Sequence, residues 1–192
     1  MRFVAAPVLE TERLILRGWT QADGQPFARM NDDPSVMEHF PARLSRAESD
    51  AFVARIETLF GQRGFGLWAL ERRSDGTFLG FTGLWEPAFE AHFTPAVEVG
   101  WRLAAEHWGH GYATEAAREA LRFGFVDIGL GEIVSFTTPA NIRSQRVMQK
   151  LGMTHDPADD FDHPRVSPGP FRGHVLYRLS RRAWQADRTS DR

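Results

Sequence analysis

Apolar and polar positions alternate in short runs along most of the chain and change to a helical period in four places. Arg13-Leu14-Ile15-Leu16-Arg17 predicts a first strand, and Thr20 to Met30 a short helix stopped by Asn31-Asp32-Asp33-Pro34. Ser45 with Glu48 three residues on forms a capping box; it predicts a helix to about Phe60, buried along Ala51, Phe52, Ile56 and Leu59 and closing near Gly61. Phe65 to Glu71 and Thr77 to Trp85 predict an antiparallel hairpin, because Asp75-Gly76 in the joining turn suits the twist of paired strands. Ala96 to Leu103 predicts a strand, Thr114 to Val126 a helix, Glu132 to Thr138 a strand, Ile142 to Leu151 a helix and Phe171 to Leu179 a last strand. A cluster of strands followed by a strand-helix-strand unit implies an α+β fold around a mixed sheet, with a parallel central crossover. Residues 1–184 are expected to form one domain, and Gln185 to Arg192 a frayed polar tail.

Two glycine-rich turns compete for attention within that order. Gly61-Gln62-Arg63-Gly64-Phe65-Gly66 follows a helix and enters a strand, so no helix N-terminus stands behind it; it reads as a C-cap and loop. Trp108-Gly109-His110-Gly111-Tyr112-Ala113 follows a strand and opens a helix whose apolar positions Ala113, Ala116, Ala117, Ala120, Leu121 and Gly124 recur at helical spacing. Free first-turn N–H groups and the helix dipole favour a phosphate there, while a plain strand-to-helix turn without ligand accounts for the glycines equally well. A dinucleotide loop would carry a third glycine where Glu115 and its neighbours stand, and a P-loop would continue into Gly-Lys-Ser/Thr; neither pattern is present.

Composition narrows the chemistry. The 192 residues contain no cysteine, which removes disulfides, thiolate metal sites and a cysteine-bound acyl intermediate. A formal net charge of −2 with scattered charges argues against a nucleic-acid surface. No apolar run reaches membrane-spanning length and the start lacks a signal-like stretch, so a cytoplasmic protein without membrane partners is expected. His155, Asp156, Asp159, Asp160, Asp162, His163 and His174 are metal-ligand types, but their spacing fits neither a zinc helix nor a calcium loop, and no metal is expected.

Four blocks in order carry a resemblance: Glu98-Val99-Gly100-Trp101-Arg102-Leu103; His107-Trp108-Gly109-His110-Gly111-Tyr112-Ala113-Thr114-Glu115-Ala116; Asn141-Ile142-Arg143-Ser144; and Lys150-Leu151-Gly152-Met153. Together they resemble the GNAT superfamily of acyl-CoA-dependent N-acetyltransferases, and more narrowly its RimJ/RimL-type branch, which the N-terminal Thr11-Glu12-Arg13-Leu14-Ile15-Leu16-Arg17 also fits. The superfamily's phosphate loop usually begins with Gln or Arg; this chain has Trp108, as is usual in the branch, and closes on Ala113. The resemblance implies a GNAT fold, a mixed sheet splayed between its fourth and fifth strands and flanked by helices on both faces, with acetyl-CoA as co-substrate in the gap. It further implies that the strand backbone at Trp101, Arg102 and Leu103 pairs with the pantetheine arm. The loop from Trp108 through Gly109, His110, Gly111, Tyr112 and Ala113 to Thr114 would hold the pyrophosphate. Asn141 would hold the cofactor or its acetyl end, and Ser144 would sit near the sulfur.

Helical geometry places Asn141, Ser144, Met148 and Leu151 on one face, and local capping explains the polar pair as well as a ligand does. Acetyl transfer to an amine needs a neutral nucleophile against the thioester and a stabilised thiolate. Neutralising a lysine-like amine at pH 7 costs roughly 4.6 kcal/mol and an α-amine only about 1.4, so an α-amino acceptor needs the weaker base. Glu98 is the first candidate for that base, with an outward strand charge as the alternative, and His39 is a lesser one. Ser144 is the candidate donor to the thiolate. Tyr177 reads as a packed strand residue and Tyr112 as a loop contact, while Phe40, Trp85 and Phe89 fit either a core or an acceptor cleft. The expected partners are acetyl-CoA and a primary amine, a protein N-terminus or a small molecule, for a monomer or homodimer. The alternative is a catalytically inactive CoA-binding regulatory module.

Overall fold

The computed structural model describes residues 6–190, with side chains through residue 186. The fold is a mixed, open central sheet flanked by helices, as the resemblance implies. By its contacts the chain divides into two compact units, Met1–Trp85 with Gly100–Ala120 and Glu86–Val99 with Leu121–Arg192.

In the first unit, β1 (Leu9–Glu10), β2 (Leu14–Arg17), β3 (Leu67–Arg72) and β4 (Phe78–Trp85) form an antiparallel run ending on the Gly100–Leu103 part of β5 (Glu98–Leu103). The Asp75-Gly76 turn closes the β3–β4 hairpin, with Gly76 at a φ of 72°. Gly80 is needed for a different reason. At a φ of 138° it lets β4 approach β5 so closely that an added Cβ would lie 2.1 Å from the Arg102 carbonyl oxygen. Beyond it, Thr82 Oγ1 donates to the Gly100 carbonyl at 2.9 Å and the Ala104 N–H to that of Leu79 at 3.0 Å.

The helices of this unit are α1 (Gly24–Asp32), entered through a short 3-10 turn, α2 (Arg46–Arg63) and the start of α3 (Tyr112–Arg122). Ser45 caps α2 through its predicted box with Glu48, but the helix runs past Gly61 because Gly64, at a φ of 74°, supplies the left-handed cap. The buried residues of α2 are Ser49, Ile56 and Phe60; of the expected stripe Phe52 and Leu59 are half-buried and Ala51 is exposed. Phe27 packs edge-on against Trp19 and Phe81, and Phe60 against Trp68, around the buried Leu14, Leu16, Leu70 and Leu79.

The second unit is built on β6 (Glu132–Thr137), whose neighbours are the start of β5 and β9 (Gly173–Ser180). The β5–β6 ladder is parallel, as the crossover predicts, and holds a single register pair, Glu98 with Val134, where the Val134 N–H donates to the Val97 carbonyl at 2.9 Å. By contrast β6 and β9 pair antiparallel along their whole length, from Glu132 with Ser180 to Thr137 with Val175. Two short strands that alternation did not signal, β7 (Thr154–His155) and β8 (Phe161–Asp162), add to β9. α4 (Ile142–Lys150) follows β6, and α5 (Arg181–Ser190) continues β9. A helical backbone therefore occupies 185–190, where the polar composition suggested a frayed tail; Asp191 and Arg192 lie outside the described residues. The helix predicted for Thr114 to Val126 keeps α-type bonding only to Arg122, and Phe123–Ile128 widens to π-type before Gly129 ends it at a φ of 86°. No helix among the described residues is long and apolar enough to cross a membrane.

Candidate active site

The glycine loop lies in the first unit and is fastened at both ends. After β5 a short 3-10 turn (Ala105–His107) leads into Trp108, whose indole N–H donates to the Leu103 carbonyl at 2.9 Å. That side chain therefore ties the loop to its own strand, although the resemblance assigned the residue to the cofactor. Gly109 and Gly111 follow at φ of 81° and 80°. Nothing lies within 4 Å of a Cβ built on Gly109, so backbone conformation rather than space requires glycine there. The first backbone bond into α3 runs from the Glu115 N–H to the Gly111 carbonyl, 3.0 Å. The amides of Tyr112, Ala113 and Thr114 stand ahead of it, in the first turn, where no helical carbonyl lies beneath them. They and the positive end of the helix dipole form an anion cradle.

Glu115 holds this cradle to the turn between β1 and β2. Its Oε1 accepts from Thr11 Oγ1 at 2.6 Å and from the Arg13 N–H at 2.9 Å, its Oε2 accepts from Arg13 Nε at 2.7 Å, and Arg13 Nη1 donates to the His110 carbonyl at 3.0 Å. Burial raises the Glu115 carboxyl, but the bonds from Thr11 and Arg13 outweigh it and keep the group below the usual carboxylate range. Tyr112 is buried under the Arg13 guanidinium at 4.9 Å and stacks on His110 at 5.5 Å, so its ring is a packing element of the loop. Sequence reasoning missed the Arg13–Glu115 tie. Its only signal was the Thr11-Glu12-Arg13 block, more than ninety residues earlier in the chain.

On β5 the side chain of Arg102 turns to α1 and its following loop. Nη1 donates to Asn31 Oδ1 at 2.7 Å, and the guanidinium lies 4.2 Å from the Phe40 ring centre and 5.5 Å from that of Phe81. Burial lowers its pKa to about 10, so it stays charged at neutral pH. Trp101 is half-buried and Leu103 buried. His39 faces its neighbour Glu38 at 3.7 Å, and Trp85 meets Phe52 edge-on at 6.0 Å.

The remaining candidates lie in the second unit. Glu98 has no hydrogen bond or ion pair with any described residue; it keeps some exposed surface, yet burial pushes its carboxyl up to about 8 with no cation opposing the shift. Asn141 is the N-cap of α4, its Oδ1 accepting from the Ser144 N–H at 3.1 Å and its Nδ2 donating to Thr137 Oγ1 at 3.0 Å. The capping alternative thus describes its amide contacts. Ser144 is half-buried and its hydroxyl bonds to no described residue. Met148 and Leu151 on the same face are buried.

Tyr177 is buried at 4 % exposure, within a long 3.4 Å reach of Gln145 and Gln149. Phe89 sits among Phe93, Phe136 and Phe161 in a core cluster. The acids of the 156–172 stretch are internally engaged: Asp159 with Arg178 at 2.6 Å, Asp160 with His155 at 2.7 Å and Asp162 with Arg172 at 3.0 Å. Asp156 caps the turn at Pro157 by accepting the Ala158 N–H.

Residues 13–154 match the family model described as "Acetyltransferase (GNAT) domain". The chain belongs to the GNAT acetyltransferase family. It is 31% identical to the FsC-acetyl coenzyme A-N(2)-transacetylase of Aspergillus fumigatus, a similarity that covers 96% of this chain and 80% of the relative. Among solved structures, a GNAT-family acetyltransferase from Bacillus anthracis superimposes with a TM-score of 0.75 at 21% identity, over 92% of this chain and 99% of that one. A ribosomal-protein-S5-alanine acetyltransferase from Vibrio fischeri does so with a TM-score of 0.73 at 17% identity, over 93% and 98%. The two structural likenesses establish the fold. This GNAT chain is therefore an acetyltransferase.

Proposed function

We propose that this GNAT acetyltransferase moves an acetyl group from acetyl-CoA to a primary amine by direct attack in a ternary complex. The observation that carries the reading is Glu98, a carboxyl with no partner among the described residues, held near 8 by burial at the first residue of β5, where that strand pairs with β6. In its ionised form it is a base of about the strength of an α-amine, and it receives the ammonium proton directly or through water. The neutral nitrogen attacks the thioester carbon, a C–N bond forms, the C–S bond breaks and the thiolate departs. Ser144, whose hydroxyl has no partner among the described residues, donates a hydrogen bond to that thiolate. Asn141 positions Ser144 by fixing the first turn of α4, with its amide also offered to the acetyl end. The diphosphate is assigned to the amides from Gly109 to Thr114 and the pantetheine arm to the backbone of Trp101 to Leu103. With zero cysteines in the chain, direct attack is favoured over a cysteine-bound acetyl group.

The sequence blocks resemble the RimJ/RimL-type branch, and the fold shared with the Vibrio fischeri ribosomal-protein acetyltransferase is consistent with that reading. The Aspergillus relative, whose name carries acetyl coenzyme A and an N(2) position, supports both the donor and an amine-nitrogen acceptor. A CoA-binding regulatory module is the competing reading. The test is release of CoA thiol across a panel of amines, with Ser144→Ala and Asn141→Ala alongside. Ser144→Ala is expected to lower kcat by roughly 10- to 100-fold, as loss of a donor to developing charge does. Asn141→Ala should do likewise and also cost α4 about 1 kcal/mol of cap stability. Normal turnover in both variants would remove the assigned roles, and acetyl-CoA binding without thiol release for any amine would establish the module.

A further inference from the structure

Arg13 brings a cation to the glycine loop from the turn between β1 and β2, and the protein uses part of its guanidinium. Of the five N–H bonds of an arginine, Nε donates to Glu115 Oε2 at 2.7 Å, Nη2 meets the same oxygen at 2.6 Å, and Nη1 donates to the His110 carbonyl at 3.0 Å. One N–H on each Nη is left without an acceptor among the described residues. The side chain is 46 % exposed, so a ligand has a path to it. The loop beside it is open as well. Nη2 is the nearest atom to a Cβ built on Gly111, at 3.6 Å, and nothing lies within 4 Å of one built on Gly109.

Glu115 gives the guanidinium its direction. Its carboxylate is itself fixed by Thr11 Oγ1 at 2.6 Å and by the Arg13 N–H at 2.9 Å. The Tyr112 ring lies 4.9 Å from the guanidinium and covers one of its flat faces. Arg72 and Arg73, on the neighbouring strand and its turn, are turned to Asp75 at 2.6 Å and Glu10 at 3.4 Å. A guanidinium edge with two free N–H bonds matches two oxygens of a phosphate, and the first-turn amides of α3 suit the same ligand.

We propose that Arg13 donates its free Nη1 and Nη2 hydrogens to the diphosphate of acetyl-CoA, and that Glu115 is the positioning residue that aims them. This rests on the donor assignment above. Trp108, the leading side chain of the loop, carries no charge and is turned to the Leu103 carbonyl, so the cation comes from a residue 97 positions before His110. The pairing also removes a conflict, because an unpaired carboxylate beside the amides would repel the anion they suit.

The test reads donor binding by calorimetry with no acceptor present. The ligands are acetyl-CoA, acetyl-dephospho-CoA, which keeps the diphosphate and lacks the 3′-phosphate, and acetyl-pantetheine, which lacks every phosphate. The proteins are the wild type, Arg13→Gln, Arg13→Lys, Glu115→Ala and the Arg13→Gln, Glu115→Ala pair. The advantage of acetyl-dephospho-CoA over acetyl-pantetheine is expected to fall about 10-fold in Arg13→Gln, the size of one charge-assisted contact at a half-exposed site, and to be partly kept in Arg13→Lys. Glu115→Ala should lose a similar factor, and the double variant little more, because an arginine that is no longer aimed has little left to lose. Salt separates a contact from a change in loop shape. Added NaCl should erode the advantage in the wild type and erode it less in Arg13→Gln, whereas a misshapen loop costs the same factor at every salt concentration. An advantage that survives in Arg13→Gln overturns the proposal, as does a loss that leaves the wild-type salt dependence intact. So does a loss confined to the difference between acetyl-CoA and acetyl-dephospho-CoA, which would assign Arg13 to the 3′-phosphate. Tighter donor binding in Glu115→Ala overturns the positioning role. These results leave the donor assignment standing; failure of acetyl-CoA to bind the wild type would instead overturn the acetyl-transfer reading, and this proposal with it.

Discussion

Glu98→Gln is expected to lower kcat/KM by about 10²- to 10⁴-fold, the usual contribution of a positioned general base. The pH profile carries the sharper signature. A base must be unprotonated, so with the carboxyl held near 8 the wild-type rate should climb with pH through about 8 and level above it. That inflection should vanish in Glu98→Gln, whereas the inflection from the acceptor's own amine moves from one acceptor to the next and persists. Stability should change in the opposite sense. The folded state holds the Glu98 proton more tightly than the unfolded chain does, so its contribution is complete below about pH 4.5 and is lost as pH rises through about 8. At pH 9 the glutamine variant should therefore melt higher, by a few degrees, on the order of 1–2 kcal/mol once water at the exposed edge is allowed for. A variant that keeps its activity, or that keeps the inflection near 8, would remove Glu98 from the reaction. Higher stability with full activity would mark it as a strained strand residue.

What the sequence made legible was local. Capping at Ser45 and the Asp75-Gly76 hairpin depend on neighbours a few residues apart, and each formed where its residues stand, whereas the helix end expected near Gly61 fell at Gly64. The glycine turn that opens α3 was legible for the same reason, since glycine spacing and the following helix are contiguous. Pairings across long separations left no such trace. The block around Arg13 does not name Glu115 as its partner, and the burial of Asn31 is intelligible only once its bonds to Arg102 and Ser49 are known. Short strands β7 and β8 were invisible because two residues cannot show a period, and they are ordered by the long β9 they join. Side-chain partners were not legible either: the structure turns the Trp108 indole onto Leu103 and the Arg102 guanidinium onto Asn31. A motif fixes the course of the backbone, and partners decide where the side chains go.

The backbone of that motif is where the second large effect is expected. Gly111→Val should raise the dissociation constant of acetyl-CoA about 100-fold. Room is not the obstacle, because the atom nearest an added Cβ is the Arg13 guanidinium nitrogen at 3.6 Å. The obstacle is the φ of 80°, which a β-branched residue adopts only at a cost of at least 1–2 kcal/mol. The loop can avoid that strain by rotating, and rotation turns the amides ahead of Glu115 away from one another, so two or more charge-assisted bonds to a diphosphate are lost together. Gly109→Asn separates conformation from bulk, since asparagine tolerates the left-handed region and should lose far less. Titrating acetyl-CoA against acetyl-pantetheine, which lacks the diphosphate, locates the loss: the preference for the longer ligand should collapse in Gly111→Val. If that preference survives, the amides of this loop do not hold phosphate, and the donor must be bound elsewhere on the chain.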